Sequence, residues 1–347
     1  MVIMKRDIKS ILFSELSEHF DSIGEKQFRA QQVYSWLHKG VKSFEEMTNL
    51  SISLREKLDD EFFISVPTVI KKQVSSIDGT TKYLYGVQDD DTVECVLMSY
   101  SHGNSICIST QVGCRMGCTL CASALDGFKR NLAPSEMLDQ VLFTQLESKK
   151  RISNVVLMGI GEPLDNFENV MRFIQLICHP LGMNIGARHI TISTCGIVEK
   201  IDRLTAYDVQ LTLAISLHAP DDETRSSLIP INRNVGVKEL ISSGQRYFDK
   251  TGRRVTYEYA MIDGVNDSPL QAEMLSKLLD KRSSHLNIIF LSNVLESKFK
   301  ASSKKSVDTF TDILKKNRVN YTMRRSLGAD IDASCGQLRR RVLNKRK

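Results

Sequence analysis

Cys114, Cys118 and Cys121 give the strongest chemical signal in the sequence, a C-x3-C-x2-C triplet within eight residues. Thiolates are soft ligands that suit iron–sulfur centres, and three of them on one short loop can wrap a single cluster. A [4Fe–4S] cubane has four irons, so three cysteines leave one iron open to a small molecule. The rival chemistry is a structural zinc, which needs four closed ligands and would draw the fourth from Cys107 or His102. Cys95, Cys178 and Cys195 read as small core residues rather than ligands.

Composition sets the compartment in which these thiols work. The 347 residues are 41% hydrophobic and 25% charged, ordinary for a soluble globular protein with room for a large core. The N-terminus lacks the apolar run and cleavage site of a secretory signal, and no stretch is long and apolar enough to span a bilayer. The expectation is a cytoplasmic protein with no membrane partner. In a reducing compartment, clustered cysteines among the eight present point to metal binding or catalysis rather than disulfides. The net charge of +6 is mild, but Arg339–Arg341 and Lys345–Lys347 end the chain in a basic tail suited to phosphate contact.

The elements that must position the triplet follow from periodicity. Residues 1–65 read as a small helical accessory domain, a candidate RNA-binding unit. There Ala30, Val33, Tyr34 and Leu37 form one apolar stripe, Gly40 stops that helix, and Leu50 to Leu58 begins another. Residues 66–112 read as a β-rich connection, with strands at Thr92–Met98 and Ser105–Thr110 and a turn at Asp78-Gly79. The triplet would then occupy a loop at the C-terminal end of a strand, where α/β folds place their sites.

From 113 to 295 strand and helix signals alternate. Pro134 opens a helix with an apolar face at Met137, Leu138, Val141, Leu142 and Leu146. Strands are expected at Asn154–Gly159, His189–Thr194, Leu211–His218, Val255–Ile262 and Leu286–Leu291. Alternation of this kind builds a parallel sheet with helices outside, either an open barrel or a doubly wound sheet. Residues 296–347 add a helix through Val307, Phe310 and Leu314, a strand at Val319–Arg324 and the basic tail.

The triplet's spacing is that of the radical S-adenosylmethionine superfamily. Within it the chain resembles the RNA adenine methyltransferases. The resemblance lies in Thr110–Gly113 and Gly127–Leu132 around the triplet, and in Met158-Gly159-Ile160-Gly161-Glu162-Pro163, Ile192–Thr194 and Ser216–Pro220. It continues through Ile229–Asn232 and Asp330–Leu338, and in the accessory domain through Phe28–Gln32 and Phe44–Thr48. It covers nearly the whole chain. It implies a partial (βα)6-type radical barrel of α/β class, with Cys114, Cys118 and Cys121 holding a [4Fe–4S] cluster and S-adenosylmethionine serving as methyl donor and radical source.

The resemblance also assigns roles. C2 and C8 of adenine are electron-poor and cannot attack a sulfonium methyl directly, so a protein nucleophile takes the methyl first. Cys335 matches that nucleophile. Cys107 matches the cysteine that forms a disulfide with Cys335 and releases the product, and Glu94 matches the general base. Gly161, Glu162, Ser193, Ser216, Leu217 and His218 match cofactor contacts. Where the family shows Pro-x-Asn, this chain has Ser292 in register and Asn293 one residue late, and Ser334 replaces an alanine beside Cys335.

The implied partners are 23S ribosomal RNA, tRNA in some members, and a flavodoxin or ferredoxin as electron donor, with the protein a monomer. Thr110–Gly113 and Gly161–Asn166 resemble the C2-methylating group more than the C8 group, whose product confers antibiotic resistance. Other readings are a non-catalytic ribosome-assembly factor with a structural cluster and a radical activase acting on protein.

Overall fold

In the computed structural model, which describes residues 5–124, 127–207, 209–291, 299–325 and 327–331, the N-terminal pattern folds into three helices. Strand β1 (Arg6–Asp7) leads to α1 (Phe13–Ser22), α2 (Gln27–Leu37) and α3 (Ile52–Glu61), and β2 (Phe62–Phe63) returns to pair with β1 in parallel. The stripe Ala30, Val33, Tyr34 and Leu37 is buried against Leu16, Phe20, Leu54 and Leu58. The helix ends at Leu37, ahead of the expected stop at Gly40, which takes φ +86° in the following turn. Ser51 caps α3 by accepting the Leu54 N–H at 3.3 Å.

Next come β3 (Thr68–Val74), β4 (Thr81–Gly86), β5 (Thr92–Tyr100) and β6 (Gly103–Cys107), joined as antiparallel neighbours. The expected strand at Ser105–Thr110 ends at Cys107. A short ribbon, β7 (Gln111–Gly113) with β8 (Phe128–Asn131), then encloses the cysteine loop. Helix α4 (Pro134–Ser148) follows, with Pro134 in its first turn and Glu136 reaching back to accept the Ala133 N–H at 2.8 Å.

The remaining units are β9 (Ile152–Leu157) with α5 (Phe167–Cys178), β10 (Ile190–Thr194) with α6 (Val198–Thr205), and β11 (Thr212–Ser216) with α7 (Asp222–Leu228) and α8 (Val237–Thr251). Then come β12 (Val255–Met261) with α9 (Pro269–Leu278), β13 (Ser284–Phe290) with α10 (Lys304–Lys316), and β14 (Tyr321–Met323). Among the described residues these make one ten-stranded sheet in the order β3-β4-β5-β6-β9-β10-β11-β12-β13-β14. From β6 onward all pairs are parallel and neighbours follow chain order without reversal. That singly wound order is an open barrel; a doubly wound sheet would reverse at a switch point. The α/β class and the barrel expected from the resemblance are both present.

Strand alternation divides the barrel's two faces. Odd residues of β12 (Val255, Tyr257, Tyr259, Met261) pack in the core beneath the helices, while Glu258 and Ala260 line a cavity on the concave side. The accessory helices are tied to the barrel by a buried ion pair, Lys9 to Asp139 at 2.5 Å, and by Arg172 pairing with Glu15. Tyr34 packs edge-on against His179 at 4.8 Å. Among the described residues no helix is long and apolar enough to cross a membrane.

Candidate active site

Cys114, Cys118 and Cys121 line one cavity of about 460 Å³ at the C-terminal ends of the parallel strands, together with Cys107, the carboxylates of Glu94, Glu162 and Glu258, and several strand-end polar groups. That volume lies in the range of small-molecule sites. Cys114 follows Gly113, whose φ of +77° and close approach to Gly127 O leave no space for a side chain. The Cys114 N–H donates to Gly127 O at 2.9 Å and the Thr119 N–H to Leu228 O at 2.9 Å, so the loop is pinned at both ends.

The donor set fits a cubane cluster. Cys114, Cys118 and Cys121 all face the cavity, with Met116, Leu120 and Ile229 forming an apolar wall. Burial pushes the Cys118 thiol up to about 12, with the neighbouring thiols adding to it, and Cys114 up to about 11. The pocket alone therefore keeps Cys114 and Cys118 neutral, and bound metal charge is what would hold those two as thiolates. Among the described residues no three His, Cys, Asp or Glu side chains gather as a single ion would require. A cubane spreads its ligands over separate irons and asks for spaced thiols. His102 stacks on Tyr100 in the turn before β6, whereas Cys107 ends that strand, so the two suggested zinc ligands lie at opposite ends of β6.

The wall beside the cluster loop is built around Glu162. Its carboxylate accepts the Leu164 N–H at 3.0 Å and the Cys195 N–H at 2.8 Å, and its own N–H donates to Gln111 Oε1 at 2.8 Å. Burial raises its pKa, while these backbone donors oppose the rise. Gly161 before it has φ +106°, and a Cβ there would lie 2.6 Å from Gln111 Cβ. The Thr194 and Cys195 side chains also bond this carboxylate, which fixes it on the cavity wall.

Ser193, Ser216 and His218 also line the cavity. His218 holds a left-handed backbone at φ +56°, an uncommon conformation for a non-glycine residue. Its Nδ1 accepts the Ala260 N–H at 3.0 Å, which places the ring proton on Nε2. Burial pulls its pKa down to about 3, with Arg225 adding to the effect. Leu217, between Ser216 and His218, is placed otherwise. Its side chain is fully buried in the core, because strand alternation turns it away from the cavity that its two neighbours face.

Glu94 on β5 and Cys107 at the end of β6 open on the same cavity. Glu94 pairs with Lys82 at 2.9 Å. Burial raises the Cys107 thiol to about 11, and the Arg324 charge opposes the rise. Cys335, Ser292 and Asn293 lie outside the described residues.

Several functional neighbours were not foreseen. Arg225, 1% exposed, donates to the carbonyls of Leu217 at 3.1 Å, Cys195 at 2.6 Å and Ser216 at 2.9 Å, fastening two strand ends together. Cys195 is the small core residue read from sequence, buried with Leu228 and Ile229, and it also borders the cavity. Glu258 lies on the opposite wall, 4% exposed; Asn287 donates to its Oε1 at 3.1 Å, while among the described residues Oε2 has no hydrogen-bond partner and only a loose ion pair with Arg324 at 3.9 Å. This open acceptor suits a ligand hydroxyl. A lone carboxylate inside the apolar strand Val255–Met261 was its available sequence signal.

Comparison with known proteins agrees with this geometry. Residues 7–64 match the ribosomal RNA large subunit methyltransferase N-terminal domain, and residues 108–275 match the radical SAM superfamily. A protein of Lachnoclostridium phytofermentans, named probable dual-specificity RNA methyltransferase RlmN, is 48% identical over 98% of this chain and 96% of its own. A Clostridium perfringens protein of the same name is 48% identical over 96% of this chain and 97% of its own. The crystal structure of a radical SAM methyltransferase from Sphaerobacter thermophilus superposes with a TM-score of 0.90 at 39% identity, covering 96% of this chain and 98% of that one. With likeness over almost its full length in both sequence and fold, the chain belongs to the radical SAM RNA methyltransferases of the RlmN family.

Proposed function

We propose that the protein methylates C2 of an adenine in 23S ribosomal RNA, with tRNA as a second substrate, by way of a methylated cysteine. The observation that carries this reading is the meeting of Cys114, Cys118 and Cys121 with Glu94 and Cys107 on one cavity. When bound, the [4Fe–4S] cluster and S-adenosylmethionine supply the methyl group and the hydrogen-abstracting radical. The relatives' printed name, a dual-specificity RNA methyltransferase, supports two RNA substrates.

The chain's own residues take the following parts. Cys114, Cys118 and Cys121 hold the cluster, and Gly161, Glu162, Ser193, Ser216 and His218 hold the sulfonium donor, with Ser292 or Asn293 adding a contact. Cys335 presents the thiolate that accepts the methyl group. Glu94 removes the C2 proton from the protein–RNA adduct, and Lys82, paired with it at 2.9 Å, holds the carboxylate in place. Cys107 then forms a disulfide with Cys335, breaking the bond to the RNA. Such a step suits a thiol shielded from bulk water until the partner arrives. Electrons come from a flavodoxin or ferredoxin, and the protein works as a cytoplasmic monomer.

The test is incubation of reconstituted, reduced enzyme with unmodified 23S RNA and with tRNA, followed by nucleoside analysis. Methyl on C2 is expected in both. Methyl on C8 overturns the assigned carbon, and activity on protein with none on RNA overturns the substrate. Cys335→Ala should abolish methylation with the brown cluster chromophore retained; unchanged cellular function would favour a non-catalytic assembly factor.

A further inference from the structure

The outer face of α2 carries a second concavity, of about 390 Å³, far from the cluster loop in sequence. Phe28, Gln31, Gln32, Ser35, Trp36 and Lys39 line it, at i, i+3, i+4, i+7, i+8 and i+11. That spacing is one continuous helical stripe. The helix already buries a different stripe, Ala30, Val33, Tyr34 and Leu37, against its own core. Within the outer stripe Trp36 packs partly against that core, whereas Phe28 stands 45% exposed, with Leu181 at 37% beside it.

We propose that this face is a seat for an unpaired base of the RNA substrate, separate from the reaction cavity. The inference rests on the RNA reading given above. Its aromatic rings are held in fixed orientation. Trp36 Nε1–H donates to Asn49 Oδ1 at 2.6 Å, and Lys39 sits 5.1 Å from the Trp36 ring centre. The Arg29 guanidinium lies 4.8 Å from the Phe28 ring and donates to Gln32 Oε1 at 3.0 Å and Asn49 O at 2.9 Å.

Each ingredient has a counterpart in single-stranded RNA. Base faces stack on aromatic rings, cations meet the phosphates, and amide side chains bond base edges. The charge agrees. From position 26 to 42 the sequence carries Lys26, Arg29, Lys39 and Lys42 and no Asp or Glu, so the whole stretch favours a polyanion.

Trp36 is the sole tryptophan, so emission excited at the red edge, beyond tyrosine absorption, reports on this seat. The experiment titrates a single-stranded oligoribonucleotide into the protein without cofactors, following Trp36 emission and, in parallel, the anisotropy of the same labelled RNA. Emission is expected to quench along the anisotropy curve, and duplex RNA of equal length to leave it unchanged. Phe28→Ala should weaken binding about 5- to 100-fold, the range seen when one stacking partner is removed. Lys39→Gln should reduce the salt dependence of binding. RNA that binds by anisotropy without moving Trp36 emission, or that binds Phe28→Ala like the parent, overturns the seat and leaves the RNA substrate standing. RNA that binds by neither signal overturns both.

Discussion

Lys82 and Glu94 face each other at 2.9 Å across adjacent strands, both side chains shut away from solvent. The register explains the meeting. Lys82 lies opposite Val96 and Leu84 opposite Glu94, so the two charges are diagonal neighbours on the cavity face. Removing one member of such a pair strands the other in a low-dielectric site, costing about 3–5 kcal/mol. Lys82→Met should therefore lower unfolding stability by about that amount, and Lys82→Met with Glu94→Leu should recover most of it while remaining inactive. Denaturant unfolding of the single and double variants decides the matter; equal instability in both would contradict the pairing.

Gly161→Ala should be less stable than the parent and lose cofactor binding. The added methyl would meet Gln111 Cβ at 2.6 Å and Gln111 N at 2.8 Å, displacing the side chain that accepts the Glu162 N–H. Misplacement of a positioning group by about 1 Å can lower turnover about 100-fold. Calorimetric titration with S-adenosylmethionine checks the binding, and a wild-type affinity would refute this account.

Asp330 accepts the hydroxyl of Ser75 at 2.5 Å and both the N–H and hydroxyl of Ser76 at 2.8 Å. These donors hold its carboxyl down to about 2, so the latch persists through the physiological range. The segment it anchors runs on to Cys335 five residues later. Asp330→Ala should slow RNA methylation about tenfold or more, as expected when an interaction to a charged group is lost. Melting temperature and cluster absorbance should not change. Unaltered turnover would show that the latch does not serve Cys335.

Burial pulls His38 down to about 4 from 6.5, with His179 and Lys9 adding to the effect. Once unfolded, His38 takes up a proton as pH falls through about 6.5, while the folded side chain resists until about 4. Its contribution is therefore complete above the unfolded value and lost progressively as pH drops toward the folded one. His38→Gln should flatten melting temperature against pH across that window. A curve as steep as the parent's would assign the dependence elsewhere, for instance to His218.

The cluster triplet was legible because its chemistry is local, three thiols within eight residues. Glu94 and Cys107 are ordinary strand residues by pattern, and resemblance alone singled them out before the fold brought them to one cavity. Lys82 and Arg225 gave no signal, since each acts on groups that only strand pairing or helix packing brings near. The resemblance matches Leu217 together with the cavity residues on either side, and the turning of its side chain into the core depends on which face is concave. Strand order was likewise unreadable. Period-two runs mark strands but carry no information about which strands become neighbours.

The Asp330 latch has a topological consequence. The two edges of the ten-stranded sheet are β14 and β3; the segment after β14 reaches the turn after β3, with the Gly328 N–H also donating to Asp78 at 2.8 Å. Among the described residues the hoop is fastened there by side-chain clasps rather than by a ladder of backbone bonds. Losing those clasps would leave every strand pairing of the wall intact.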